Sequence, residues 1–321
     1  MASIKRTVRL TVIERDSGVV LLDNDTLRID FKVETMIGGA LDTARVKVYN
    51  LADDTITQIS TDTPKDVVLS VGKKFDTALS NIFVGELVNT HHALSFQDSI
   101  TTLWCWKKGQ KQGKEPIGEF PNMDGKTVRE VVNTILLQKS IQGPDGKPLF
   151  RADWTSVPES YLNYQVKSTA FNKTSFLAIK QVLSEAGLVF AINQDILKVA
   201  PEPLKAGDNA AMTSWGEPTQ IIPTLLKKPI ELSIASIDVS YELSPFIVPL
   251  DVITLDYKEQ RLQTNLGGYS DKFLSIVNNA TKIVPNNAYF LTKVTHEGSV
   301  YTDSWDTKLH GIIYSGARTD E

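Results

Sequence analysis

The chain has 321 residues, 41% of them hydrophobic and 22% charged. That is the balance of an ordinary globular protein with room for about two domains. Its formal net charge of −4 argues against non-specific nucleic-acid binding, which needs cationic surface to displace counterions from phosphates. The single cysteine, Cys105, cannot close an internal disulfide and reads as a small buried apolar residue in Leu103-Trp-Cys-Trp106. No stretch approaches the ~18 apolar residues that span a bilayer. The start, Met1 to Leu10, alternates polar and apolar residues where a leader peptide would be continuously apolar. A protein made in a cytoplasm, with no membrane span, is expected.

Residues 1–106 read as almost entirely β. Val8, Leu10 and Val12 alternate with polar residues, as do Leu27, Ile29, Phe31 and Val33, then Val46 and Val48, then Val67, Leu69 and Val71. Phe83 to Val88, Ala93 to Phe96 and Ile100 to Trp106 continue the pattern. Period-two alternation rich in β-branched and aromatic residues predicts strands. Thr26 to Glu34 and Thr43 to Leu51 form a long hairpin pattern tipped by Gly38 and Gly39. One helical turn follows Asn50, with Asp53 or Asp54 as its N-cap. Trp104 and Trp106 lie one strand period apart on one face, which reads as core. About six strands imply a barrel or sandwich, since an open sheet leaves its edges exposed.

Residues 107–205 change character. Lys107, Lys108, Lys111 and Lys114 lie in a Gly-containing run without apolar periodicity, read as a loop. Thr127 with Glu130 makes a capping box ahead of a helix striped by Val128, Val131, Val132 and Ile135. Gly143 to Pro148 is a turn cluster. A second helix runs from Ser175, with Phe176, Ile179, Leu183 and Ala186 on one face and Gly187 at its C-terminal cap. Leu188 to Ile192 and Ile196 to Val199 then form a hairpin. The whole is a small α+β unit, a helix on a two-stranded ribbon.

Residues 206–321 return to β. A linker from Pro201 to Pro223 leads in. The strand candidates are Leu232 to Tyr241, Asp251 to Leu255, Ala288 to Thr295 and Trp305 to Ile313, with turns at Gly267 to Asp271 and Val284 to Asn287. Tyr289 to Gly298 and Ser304 to His310 form a second hairpin pattern. The chain is therefore mainly β with a small α+β part: β units at 1–106 and 206–321 flank an α+β insert at 107–205.

Catalytic constellations are weak. His91 and His92 are adjacent and point to opposite faces of a strand. His296 and His310 fall on neighbouring strands, where a cross-strand pair is a conceivable start of a zinc site, but the sequence supplies no third ligand. Ser95, Asp98 and His92 lack a nucleophile elbow. Asp53-Asp54 and Glu14 with Asp16 read as solvated turn residues. There is no phosphate-binding loop or dinucleotide fingerprint. The lysine run is either a solvated loop or a contact for an acidic neighbouring subunit. It carries no interleaved aromatics of the kind that bind single-stranded nucleic acid.

The ordered pieces resemble baseplate hub proteins of contractile-tailed phages. An early hairpin ends in Val48-Tyr-Asn-Leu-Ala-Asp-Asp-Thr-Ile56. Val67-Val-Leu-Ser-Val-Gly72 and Ile82-Phe-Val-Gly-Glu-Leu87 follow. A helix and the Gly187 to Ile192 hairpin come next, and Val294-Thr-His-Glu-Gly298 with Trp305-Asp-Thr307 closes the chain. The hub part of type VI secretion spike proteins is similar. Two departures from the pattern are Gly298-Ser299, where the family has Gly-Asp, and Val248-Pro-Leu-Asp251, where it has a Pro-Gly-Asp turn.

The resemblance implies two tail-tube-like β-barrel domains per chain and a homotrimer that presents a pseudo-sixfold ring. Its partners would be the hexameric tail tube protein, the trimeric central spike protein and baseplate wedge or tape-measure proteins. DNA would pass through without sequence-specific binding. The place is the virion baseplate, with no catalysis and no cofactor. Under this reading Arg28, Asp30, Lys32, Glu34, Gly38, Gly39, Arg45, Lys47 and Tyr49 form a subunit-interface or lumen hairpin. Lys107, Lys108, Lys111 and Lys114 form a partner-contact loop, and Trp305 and Thr307 are core or edge contacts of the second barrel.

Two other classes stay open. A tail-associated cell-wall-degrading enzyme needs two carboxylates facing across a cleft. The insert offers Glu115, Glu119, Asp124, Glu130, Asp145, Asp153, Glu159 and Glu185, in no recognisable pattern. A receptor- or glycan-binding β module predicts exposed aromatic platforms.

Overall fold

The computed structural model describes residues 6–38, 42–73, 78–95, 97–117, 122–138, 141–143, 146–167, 173–203, 219–228, 230–232, 236–255, 262–264 and 288–313. The first part of the chain forms β1 (Arg6–Glu14), β2 (Val20–Asn24), β3 (Ile29–Met36), β4 (Thr43–Tyr49), α1 (Asp53–Ile59), β5 (Lys65–Lys73), β6 (Ser80–Ser95) and β7 (Asp98–Lys107). The alternating residues read from sequence supply one core: Val8, Leu10, Ile29, Phe31, Val46, Val67, Leu69 and Leu103 all belong to it. Burial of this kind stabilises by about 25 cal/mol per Å² of apolar surface.

Several local expectations are corrected here. Ala52 rather than an aspartate is the N-cap of α1, and Asp53 and Asp54 occupy its first turn, where the helix dipole favours negative charge. The two runs from Phe83 and from Ala93 are one continuous strand, β6. The tryptophans face outward: Leu103 and Cys105 are buried while Trp104 is 45% exposed. The period is as read, but its phase is set by register. Cys105 sits opposite Ala44 and Leu103 opposite Val46, so the smaller pair fills the core and the indoles take the other face.

The insert contains α2 (Gln110–Gly113), α3 (Val128–Leu136), β8 (Arg151–Asp153), α4 (Glu159–Leu162), α5 (Ser175–Glu185), β9 (Leu188–Asn193) and β10 (Ile196–Pro201). The capping box is present: the Glu130 amide donates to Thr127 Oγ1 at 3.3 Å, and the Thr127 amide donates to Glu130 Oε2 at 2.9 Å. Val128, Val131, Val132 and Ile135 pack with Phe176, Ile179 and Leu183 in a core of their own. Gly187 takes φ 69°, the left-handed conformation that ends a helix at low cost. The ribbon has three strands rather than two, because β8 adds parallel to β10. The lysine run is not a plain loop: Lys107 ends β7 and the short helix α2 follows Gly109.

The last part forms β11 (Thr219–Gln220), β12 (Ile230–Leu232), β13 (Ser236–Glu242), β14 (Val252–Thr254), β15 (Leu262–Thr264), β16 (Ala288–Ser299) and β17 (Trp305–Ile313). Leu232 to Tyr241, expected as one strand, is an antiparallel pair, with Leu232 opposite Ile237. Most of the linker and the turns expected at 267–271 and 284–287 lie outside the described residues.

One 14-stranded sheet runs through both β regions in the order β15-β12-β13-β17-β16-β3-β4-β7-β6-β5-β1-β2. Its centre is the antiparallel pairing of β3 with β16, from Met36 opposite Lys293 to Asp30 opposite Ser299. The two hairpins of the opposite chain ends are therefore neighbours, joined through their first strands. The mainly β class with a small α+β part holds. Among the described residues the ladders form an open path, and no strand pairing closes either β unit into a barrel.

Candidate functional site: the shared hairpin sheet

The alternation of β3 and β4 places Asp30, Lys32, Glu34, Arg45, Lys47 and Tyr49 on the face opposite the core. Pairing with β16 and β17 extends that face across Lys293, Glu297, Lys308 and His310. Several of its charges are paired with one another. Lys293 Nζ lies 2.9 Å and Lys32 Nζ 3.3 Å from Glu34 Oε1, so the Lys293 hydrogen bond first, then Lys32, holds the Glu34 carboxyl below its ordinary value. Lys308 Nζ lies 2.7 Å from Glu297 Oε2, and His310 Nδ1 lies 2.8 Å from Asp238 Oδ1. The Arg45 guanidinium stands 5.5 Å from the centre of the Trp104 ring. Just before β3, Arg28 stacks 4.0 Å over the Tyr49 ring, whose hydroxyl donates to Asp30 Oδ2 at 2.7 Å. Burial, then the Asp30 bond, raises the Tyr49 phenol above its usual value.

Gly38 stands apart from this face. It lies past the end of β3 at φ 82°, and its amide donates to Phe190 O of the insert at 2.6 Å. Gly39 lies outside the described residues. The β3–β4 hairpin also has both edges occupied, by β16 and by β7, so it offers a neighbouring subunit a side-chain face but no free backbone.

The four lysines do not form one patch. Lys107 turns inward, where its ammonium pairs with Asp42 Oδ2 at 3.2 Å and donates to Ile192 O. Lys108 and Lys111 are exposed. Lys114 Nζ sits 4.2 Å over the Trp106 ring, an aromatic contact that linear spacing does not show.

Lys107 belongs to a buried polar node that ties the insert to the sheet. Asp42 is buried, and desolvation raises its carboxyl above the ordinary value against the pull of Lys107 and the Met36 amide. A small cavity of about 50 Å³ adjoins, with Lys107, Ile192 and His296 in its wall. His296 Nδ1 lies 3.0 Å from Thr307 Oγ1, which accepts from the Ser244 amide at 2.8 Å. Burial first, then the Lys107 charge, pushes the imidazole down to about 4. Sequence reading named His296 and Lys107 but missed Asp42 and Ser244, single polar residues whose partners lie far along the chain.

Several of the other sequence candidates have structural partners. His296 faces Thr307 while His310 faces Lys293, so the two imidazoles are out of register. Among the described residues no cluster of three or more metal-ligating side chains occurs. His92 Nδ1 lies 3.2 Å from Thr101 Oγ1, and Asp98 accepts from Asn50 at 3.0 Å, so no triad forms with Ser95. In the insert, Glu130 serves the capping box, Asp153 accepts from the Thr155 amide at 3.0 Å, and Glu185 accepts from the Lys167 amide at 3.3 Å. Glu119 and Asp145 lie outside the described residues. Cys105 is buried, its thiol pushed up to about 12 by desolvation, which leaves almost no nucleophilic thiolate at neutral pH.

No protein-family model and no curated protein matches the chain. Solved structures do. The tail protein from Neisseria meningitidis MC58 aligns over 97% of this chain and 98% of its own, at 10% identity and a TM-score of 0.57. The 43 kDa tail protein of prophage MuSo2 from Shewanella oneidensis aligns over 97% of both chains, at 6% identity and a TM-score of 0.56. The E. coli c3393 protein is a component of the type VI secretion system with structural similarity to the T4 bacteriophage tail proteins gp27 and gp5. It aligns over 90% of this chain and 74% of its own, at 11% identity and a TM-score of 0.53. The fold of this chain, from β1 to β17, is that of these phage-tail and secretion-system proteins.

Proposed function

We propose that the chain is a structural subunit of a phage tail, acting at the baseplate hub without catalysis. In this reading residues 1–106 and 206–321 are two tail-tube-like units and 107–205 is their insert. Three chains form a ring that matches a hexameric tail tube on one side and a trimeric spike on the other, with wedge or tape-measure proteins at its margins. The protein is made in the host cytoplasm and resides in the virion. The observation that carries the reading is the broad sheet formed by both chain ends through β3 and β16, in a fold shared along almost the full length of two phage-tail proteins.

The outer face of that sheet suits a channel wall. Lys32 and Lys293 are paired with Glu34 and Lys308 with Glu297, which weakens the hold of this face on a passing phosphate backbone. The test is the solution mass by light scattering, alone and with a candidate spike protein. A trimer, or a monomer that becomes a trimer with the spike, is expected. A stable monomer indifferent to the spike contradicts the proposal and favours a self-contained binding module.

A further inference from the structure

Lys107 and Asp42 form the most buried ion pair among the described residues. Their side chains are 11% and 2% exposed, whereas every other lysine–carboxylate pair there is partly exposed on both sides. A buried pair is a poor source of stability, because the cost of desolvating two charges offsets their attraction. Apolar surroundings favour neutral partners. Passing one proton from the ammonium to the carboxylate supplies them, an amine beside a carboxylic acid. Burial already raises the Asp42 carboxyl above its ordinary value. A desolvated, uncharged lysine amine is a nucleophile, and the carboxyl carbon beside it is an electrophile.

The geometry around the pair suits that attack. Lys107 Nζ lies 3.2 Å from Asp42 Oδ2 and donates to Ile192 O, which fixes the direction of the amine. Asp42 Oδ1 accepts from the Met36 amide at 2.9 Å. The two carboxyl oxygens therefore differ. Oδ1 rests on an N–H that steadies charge developing during attack, and Oδ2, next to the amine, is the one placed to leave. The Lys107 amide donates to Asp42 O at 3.0 Å, so the backbone holds together two residues 65 positions apart. The adjoining cavity of about 50 Å³ has Lys107 and His296 in its wall and no carboxylate, and it has room for a released water. His296, which burial keeps neutral at pH 7, is a base available there to relay a proton.

We infer that Lys107 and Asp42 become joined by an isopeptide bond, Nζ to Cγ, once the chain has folded. The N–C bond forms and the Cγ–Oδ2 bond breaks. Oδ2 leaves as water with two of the three ammonium protons, and the third stays on Nζ to donate to Ile192 O. Nothing is oxidised or reduced, and no co-reactant is needed. The link fastens the end of β7 to the segment between β3 and β4, beside the ribbon of the insert. It is independent of the ring reading above.

The experiment is the intact mass of the full chain, kept folded at neutral pH, then denatured and measured by mass spectrometry. The wild type should fall about 18 Da below the mass of its sequence, one water lost to the new bond. Digestion should yield a branched peptide containing both Asp42 and Lys107. Asp42→Ala and Lys107→Arg should each show the full sequence mass. His296→Gln should reach the lighter mass more slowly than wild type. A wild-type chain at its full sequence mass overturns the inference, and that reading does not depend on whether any variant folds. A loss of water that persists in Lys107→Arg places the dehydration elsewhere and overturns it as well. Equal rates for His296→Gln and wild type overturn the part given to the histidine.

Discussion

His296 shows how burial converts one side chain into a pH dependence. Its imidazole titrates near 4 in the folded chain, against 6.5 for an unperturbed histidine. The neutral form is favoured inside, so its contribution to stability is complete above the unfolded value and is lost as pH falls from 6.5 towards 4. The full loss is about 3 kcal/mol at 1.36 kcal/mol per unit. Asp42 runs the other way: burial raises its carboxyl, so its contribution is lost as pH rises above the ordinary carboxylate value. The comparison that isolates the histidine is therefore wild type against His296→Gln. The stability gap between them, read from urea unfolding, should shrink as pH falls from 7 to about 4. A constant gap would show that His296 is solvated. At this scale the sequence was partly legible. Alternation marked Val8, Leu10, Ile29 and Val46 as buried, because strand period alone decides sidedness. The node of Lys107, Asp42 and His296 was not, because burial of a polar residue depends on partners that no local pattern reveals.

At the scale of elements, Gly298 explains why the two hairpins can lie together. A Cβ built there would fall 2.5 Å from Phe31 Cζ and 2.9 Å from Trp305 Cε3, too close for carbon atoms. The bare backbone lets Phe31 of β3 and Trp305 of β17 meet edge to face across β16, ring centres 6.0 Å apart, a favoured aromatic geometry. Trp305 thereby joins the core of the first β region, a role across the two halves rather than within the second. Gly298→Ala should cost about 1–3 kcal/mol, the usual range for overpacking a filled core, and should lower the urea midpoint without changing its slope. A neutral substitution would show that the β3–β16 junction is loosely packed. The hairpins were legible because each alternates cleanly. Strand β2 was missed because Val20-Leu-Leu has no alternation, and β12 and β13 merged because the break between them has no glycine or proline to mark it.

At the scale of the molecule, the two β regions were expected as separate barrels, and the structure joins them in one sheet. The joining ladder lies between strands almost the whole chain apart. Its register depends on side chains packed from both, so each segment alone carries no sign of it. The resemblance of ordered motifs supplied the overall fold, because it compares the chain with arrangements already folded. The measurement that tests the central claim most directly is single-particle imaging of the assembled protein. The account predicts a threefold ring with six similar lobes around an open channel, two lobes from each chain. A compact particle without a channel, or one of twofold symmetry, would contradict it.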